Sequence, residues 1–189
     1  MSFAIINDLT TNVDWSEINQ ATLDTLFMLG FAVLFSTLIG IPVGLILFLS
    51  GKGRLLQNRW VYNILSFIIN VLRSVPFIIL LIVMIPTTTM LVGTSLGAKG
   101  TIPPLVVGAF PFLTRLDENA LKEIDDGIFH MAESCGASTW QIIWHILLPE
   151  ITPSLIASIT VTAIALVSYT AMAGTVGGGG LGGLFHGLL

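Results

Sequence analysis

The sequence predicts an all-α, polytopic membrane protein, and composition and run length carry that reading. Hydrophobic residues make up 54% of the 189-residue chain and charged residues only 10%, against about 25% charged in soluble domains, and mean hydropathy is +0.93. The apolar residues also fall into runs without a single charge, 26–49 and 151–173, each longer than the roughly 20 residues that cross a bilayer as a helix. A net charge of −4 excludes a basic nucleic-acid surface. Cys135, the only cysteine, excludes an intrachain disulfide and is expected to pack as a small residue. The N-terminus lacks a positive n-region, and the apolar stretch 3–6 is too short for a signal-peptide core.

Residues 1–25 hold Asp8, Asp14, Glu17 and Asp24 with no Lys or Arg, whereas 51–59 hold Lys52, Arg54 and Arg59 with no acid. By the positive-inside rule the basic loop is cytoplasmic, and segment 1–25, ahead of a membrane domain at 26–189, lies outside. In the first span, 26–49, Ser36, Gly40 and Gly44 recur every fourth residue, a ridge of small side chains that lets another helix approach closely. Pro42 between the glycines is a candidate kink. The second run, 60–86, is interrupted by Arg73, and Asn63, Ser66, Asn70 and Arg73 form one polar stripe on an apolar helix. An arginine at this depth faces protein or a water-filled cavity, or else snorkels to the interface; both stay open.

The third span, 96–116, requires Lys99 at the interface, because its uncharged core runs only from 102 to 113. The preceding stretch 93–101, GTSLGAKGT, has Ala98 where a phosphate loop of form G-x-x-x-x-G-K-[ST] needs its second glycine, so it reads as an outer turn. Arg115, Asp117, Glu118, Lys122, Glu123 and Asp125 then mark a solvated approach to a cytoplasmic loop, 119–149. In that loop Asp126 is the expected cap of a short helix, Gly136 breaks it, and Ser138 with Gln141 restarts a second helix through a capping box. Trp140, Ile143, Trp144 and Leu147 follow at i, i+3, i+4, i+7, an apolar face with no domain of its own to bury it. Such a face suits a groove on another protein. Pro149 ends this helix or begins the next. In the fourth span, 151–173, Ser154, Ser158 and Thr162 form a second small ridge. The glycines at 177–180, 182 and 183 predict a flexible segment.

No catalytic set emerges. His130 and Glu133 lie three apart without an H-E-x-x-H motif or third ligand, and His145 reads as solvated. The expectation is therefore no catalytic residue, no metal and no cofactor.

The pattern Ala132-x-x-x-Gly136, then Ile143 and Leu148-Pro149, resembles the cytoplasmic coupling loop of ABC-importer permeases, with His130 at the loop's usual glutamate. The segment Arg73-Ser74-Val75-Pro76-Phe77-Ile78-Ile79-Leu80-Leu81, with Met84-Ile85-Pro86 and Val92-Gly93-Thr94-Ser95-Leu96-Gly97, resembles the permeases of methionine importers. The resemblance runs, with gaps, from about residue 21 to 182. It implies the ABC-importer permease fold, a pathway for D- or L-methionine opened by alternating access, and a multi-pass place in the bacterial cytoplasmic (inner) membrane. It implies as partners two copies of a cytoplasmic ABC ATPase that hydrolyses the ATP, a second permease copy, an extracytoplasmic methionine-binding lipoprotein and membrane lipid. His130, Met131, Ala132, Gly136, Ala137, Ile143, Leu148 and Pro149 are the expected ATPase-coupling residues. Arg73, Met84, Tyr169 and Met172 are candidates for the pathway or its gate. The family has a fifth span after the glycine-rich turn, which is missing here because the sequence stops at Leu189. A passive helix-bundle channel or scaffold, and a truncated inactive permease, stay open as alternatives.

Overall fold

The computed structural model describes residues 15–187, side chains at 130, 133 and 185–187 excepted. Segment 1–14, most of the expected extracytoplasmic segment, lies outside the described residues, as do the side chains of His130 and Glu133. Among the described residues every regular element is helical.

The first helix, α1 (Trp15–Leu49), begins eleven residues before the charge-free run, because residues 15–25 contain no Gly or Pro to stop it. It passes through Pro42 without ending. Its inward stripe is Met28, Ala32, Ser36, Gly40 and Gly44, and the small residues do the packing expected of them. A Cβ on Gly40 would sit 2.9 Å from Leu113 Cδ2, and one on Gly44 would sit 3.1 Å from the Thr114 carbonyl oxygen. Thr114 Oγ1 uses that closeness to donate to the Gly40 carbonyl at 3.3 Å.

The expected run 60–86 is not one helix. α2 (Arg59–Ser74) is capped by the Asn58 side chain, which accepts from the Trp60 and Val61 N–H groups. It stops at Val75, held extended at φ −81°, ψ 122°, because the ring of Pro76 disfavours a helical residue before it. α3 (Phe77–Val83) leaves at 102° to α2. α4 (Ile85–Val92) ends on Gly93 at φ 83°, and α5 (Gly97–Lys122) follows at 119° to α4. α5 thus runs six residues past the expected end at 116. Its last two turns direct Asp117 and Glu118 inward, so these two are buried rather than solvated.

After α5 come α6 (Asp126–Ser134) and α7 (Thr139–Ile142). α7 passes through a π turn (Ile143–Leu147) directly into α8 (Leu148–Ala173). A second π turn (Gly174–Gly178) leads to α9 (Gly180–Gly187), which folds back on α1. The glycine-rich turn is tightly packed rather than loose. A Cβ on Gly174 would overlap the Gly183 nitrogen, and one on Gly180 would lie 2.6 Å from Thr25 Oγ1. Leu181 N–H donates to that Thr25 hydroxyl at 2.9 Å. Gly174 is there because two backbones touch, and Gly180 because its φ of 67° and the adjacent Thr25 side chain leave no place for a Cβ.

Two apolar cores result. One gathers Met28, Ala32, Phe77, Leu80, Leu105, Ala109 and Leu166. The other lies at the basic-loop end and gathers Phe48, Leu49, Leu121, Phe129, Ile142, Leu147 and Ile151. Between them, beside Gly40 and Gly44, lies a group of buried polar residues: Thr114, Asp117, Glu118, Ser158 and Thr162. The outward faces of α1, α2 and α8 carry large exposed apolar side chains such as Phe31, Phe67 and Ile164. α1 and the continuous helix 139–178 are long and apolar enough to cross a membrane, and each bent pair supplies one more crossing if taken as a unit.

Candidate coupling site

The helix–glycine–helix unit is built by local chemistry. Asp125, not Asp126, caps α6: its Oδ1 accepts from the Gly127 N–H at 2.6 Å, the side chain two residues back having the better reach for a free first-turn donor. α6 ends at Gly136, φ 74°, and the Ala137 N–H returns to the Ala132 carbonyl at 3.1 Å, the six-to-one bond of a Schellman ending. Cys135 is exposed there, not packed, because the ending turns it away from the core. Ser138 and Gln141 make the full capping box.

The apolar face divides in two. Ile143 and Leu147 are buried in the chain's own second core with Phe129 and Ala132, and Ala137 and Leu148 pack partly buried against it. Trp140 (67% exposed) and Trp144 (53%) stay outside with Met131 (65%), the two indoles edge to face at 5.7 Å. The π turn lies within this face. The Leu148 N–H bonds to the Ile143 carbonyl, five residues back, and this widened turn makes room for Pro149, which has no N–H to give, while the helix carries straight on into α8. Pro149 therefore does not stop the helix; it stands at the junction with α8. The chain supplies its own floor for this unit and leaves only an edge of Met131 and two tryptophans unpartnered.

Arg54, from the basic loop, holds the unit down. Its guanidinium lies 4.5 Å from the Phe48 ring centroid and 5.4 Å from that of Phe129, and it pairs with Asp126. Sequence reasoning misses this pair, although a lone basic loop beside an acidic helix start is a visible signal.

Above the unit sits a polar anchor. Glu118 is fully buried and accepts from Tyr62 Oη at 3.2 Å and pairs with Lys122 at 2.6 Å and with Arg115. Arg115 also donates to the Ser66 hydroxyl, to the Ser66 carbonyl at 3.1 Å and to Asn70 Oδ1 at 2.9 Å. The polar stripe of α2 thus meets an arginine of α5, while Arg73 itself is exposed at the end of α2. Asp117 accepts from Ser158 Oγ at 2.5 Å, tying α5 to α8. The ion pairs lie within α5, and it is the hydrogen bonds from these charged groups to Tyr62, Ser66 and Asn70 of α2 and to Ser158 of α8 that hold the three helices in register.

The pathway candidates are not brought together. Met84 and Tyr169 pack against the first core, the Tyr169 ring stacked on Phe77 at 4.6 Å and 5°, whereas Met172 is 44% exposed.

This architecture, helices with an apolar outside and a helix–turn–helix at one end, is that of a polytopic α-helical membrane protein. Residues 40–186 match the family of binding-protein-dependent transport system inner membrane components, and the chain belongs to it. Within that family it is 52% identical over 170 residues to a probable D-methionine transport system permease protein of Pasteurella multocida, spanning 90% of this chain and 78% of the relative. It is 49% identical to a methionine import system permease protein of Bacillus subtilis, spanning 93% and 79%. Among solved structures, an inward-facing form of a methionine ABC transporter superposes with a TM-score of 0.89 at 43% identity, over 90% of this chain and 79% of that one.

Proposed function

We propose that this chain is the membrane-spanning subunit of an ATP-driven methionine importer, working as two copies with two cytoplasmic ATPases and an extracytoplasmic methionine-binding lipoprotein. The kinship to methionine permeases supports the cargo. The observation that carries the coupling role is the exposed Met131, Trp140 and Trp144 edge on a unit otherwise seated in its own core. An edge of this kind is the apolar anchor of a protein interface.

His130, Met131, Ala132, Gly136, Ala137, Ile143, Leu148 and Pro149 divide their work. Met131 offers contact surface, and His130 stands beside it in sequence. Gly136 sets the turn; Ala132, Ala137, Ile143 and Leu148 seat the unit; Pro149 stands at the junction with the span that it moves. The N-terminus lies outside and the basic loop inside. Closure of the ATPases pushes the unit. The push passes through Arg54, the second core and the continuous helix into α1, α5 and α8, which rock as rigid bodies about a central pathway. Arg73 and Met172 are exposed candidates for that pathway, and Tyr169 with Met84 sets the gate from behind. ATP chemistry belongs to the partner, and this chain binds no cofactor.

The test is co-expression with the neighbouring ATPase, pull-down, and uptake of methionine by membrane vesicles. Binding with ATP-driven uptake is expected. Gly136→Trp is expected to abolish ATPase retention while insertion in the membrane is unchanged. Retention by that variant would refute the assignment of the docking unit.

A further inference from the structure

The chain has a net charge of −4 and only seven Lys and Arg, yet Lys52, Arg54, Arg59 and Lys122 all line one cavity of about 530 Å³. The cavity opens between the basic loop, the start of α2 and the end of α5. Its single acid is Glu118, and Gln57, Tyr62 and Asn63 add uncharged hydrogen-bonding groups to the wall. Two of the cations are engaged, Arg54 with Asp126 and Lys122 with Glu118. Lys52 and Arg59 are exposed and form no ion pair among the described residues. The cavity is therefore cationic in excess and has two side chains ready for an anion.

A second observation says which anion. On the neighbouring face of α2, Trp60 (79% exposed), Ile64 (57%) and Phe67 (69%) form an apolar row that continues to Val71 (45%). A tryptophan at the start of such a row sits at the depth of lipid headgroups. Basic pockets between membrane helices take anionic headgroups for the same electrostatic reason. A free phosphate would use the cations and leave the apolar row idle, whereas a lipid uses both.

We propose that this cavity binds the phosphate headgroup of an anionic phospholipid whose acyl chain lies along Trp60, Ile64, Phe67 and Val71. The site requires a membrane boundary at this end of the helices and is independent of methionine as cargo. Lipid held there braces the basic loop against α5, next to the Arg54 pin.

The experiment purifies the full chain in the assembly it forms in the membrane, offers an equal mixture of phosphatidylglycerol and phosphatidylcholine, and counts retained lipid by mass spectrometry. Phosphatidylglycerol is expected in excess. Lys52→Gln and Arg59→Gln are each expected to lower its retention by roughly fivefold, the effect of one cation near an anionic surface. Each variant leaves two loop cations to preserve orientation. Lys52→Arg and Arg59→Lys are expected to keep the lipid, and excess inorganic phosphate to leave it in place. Equal retention of both lipids, unchanged retention in both glutamine variants, loss in the charge-preserving variants, or displacement by phosphate would each overturn the proposal. Methionine uptake by the same preparations reads the importer function separately.

Discussion

At the scale of single residues, Arg54 matters most for its size. One planar group covers two aromatic rings and meets one carboxylate. A partly exposed cation–π contact contributes about 0.5–1 kcal/mol, and an ion pair to an exposed acid about 0–1 kcal/mol. Arg54→Ala is therefore expected to loosen α6 by roughly 1–2 kcal/mol, lowering methionine taken up per ATP hydrolysed and speeding proteolysis within 119–149. Arg54→Lys is expected to recover less than half, since an ammonium cannot lie flat on both rings. Equal behaviour of Lys and Arg in both assays would mean that the stacking is irrelevant.

At the scale of elements, the α1–α5 crossing depends on two glycines that are not equivalent. A methyl at Gly40 meets the flexible end of Leu113, and one at Gly44 meets the Thr114 backbone and Asp117 Cβ, which cannot swing away. Gly44→Ala is expected to cost about 1–3 kcal/mol as overpacking and Gly40→Ala less, although the nearest distance is shorter at Gly40. Gly30 faces open space on the same helix, and Gly30→Ala is expected to be neutral or to stabilise by up to about 1 kcal/mol. Thermal unfolding in detergent gives the order. A larger loss at Gly40 than at Gly44 would contradict the packing described. The π turn before α8 is the other decisive element, because it joins the helix–glycine–helix unit to α8 without a break, with Ile143 and Leu147 buried and Trp140 and Trp144 exposed.

At the scale of the whole molecule, the buried Asp117, Glu118 and Ser158 with the half-buried Arg115 form a layer that joins three helices. Glu118 neutralises two cations, Arg115 and Lys122. Removing one partner of a buried pair leaves the other uncompensated, at a cost of about 3–5 kcal/mol. Glu118→Gln is expected to destabilise by that order and to reduce the yield of monodisperse protein. Glu118→Leu combined with Arg115→Met is expected to recover much of the loss, because an apolar pair of similar volume replaces both charges. Failure of the double variant to improve on Glu118→Gln, in unfolding temperature and yield alike, would assign the layer a role other than charge balance.

Local chemistry is legible in the amino-acid order. The charge-free runs mark membrane helices, the Ser36, Gly40 and Gly44 ridge marks a close crossing, and Gly136 with Ser138 and Gln141 marks a turn between two short helices. Each depends on residues near one another in the chain, where propensity and periodicity act. The rest is decided by distant partners. Nothing near Arg115 reveals that Ser66 and Asn70 receive it, and the basic loop and the acidic start of α6 show opposite charge but not that Arg54 is the residue that meets Asp126. The run 60–86 reads as continuous because apolarity cannot distinguish a straight helix from one turned by 102° at Pro76. The glycines after Ala173 read as loose, since a sequence shows the absence of a side chain but not the backbone that fills its place. The sequence by itself determined the helical class, the turn that breaks the loop 119–149 and the membrane as solvent. Only the tertiary structure decided which faces are buried, because burial is a property of pairs of elements and a chain read alone has no partner for its faces.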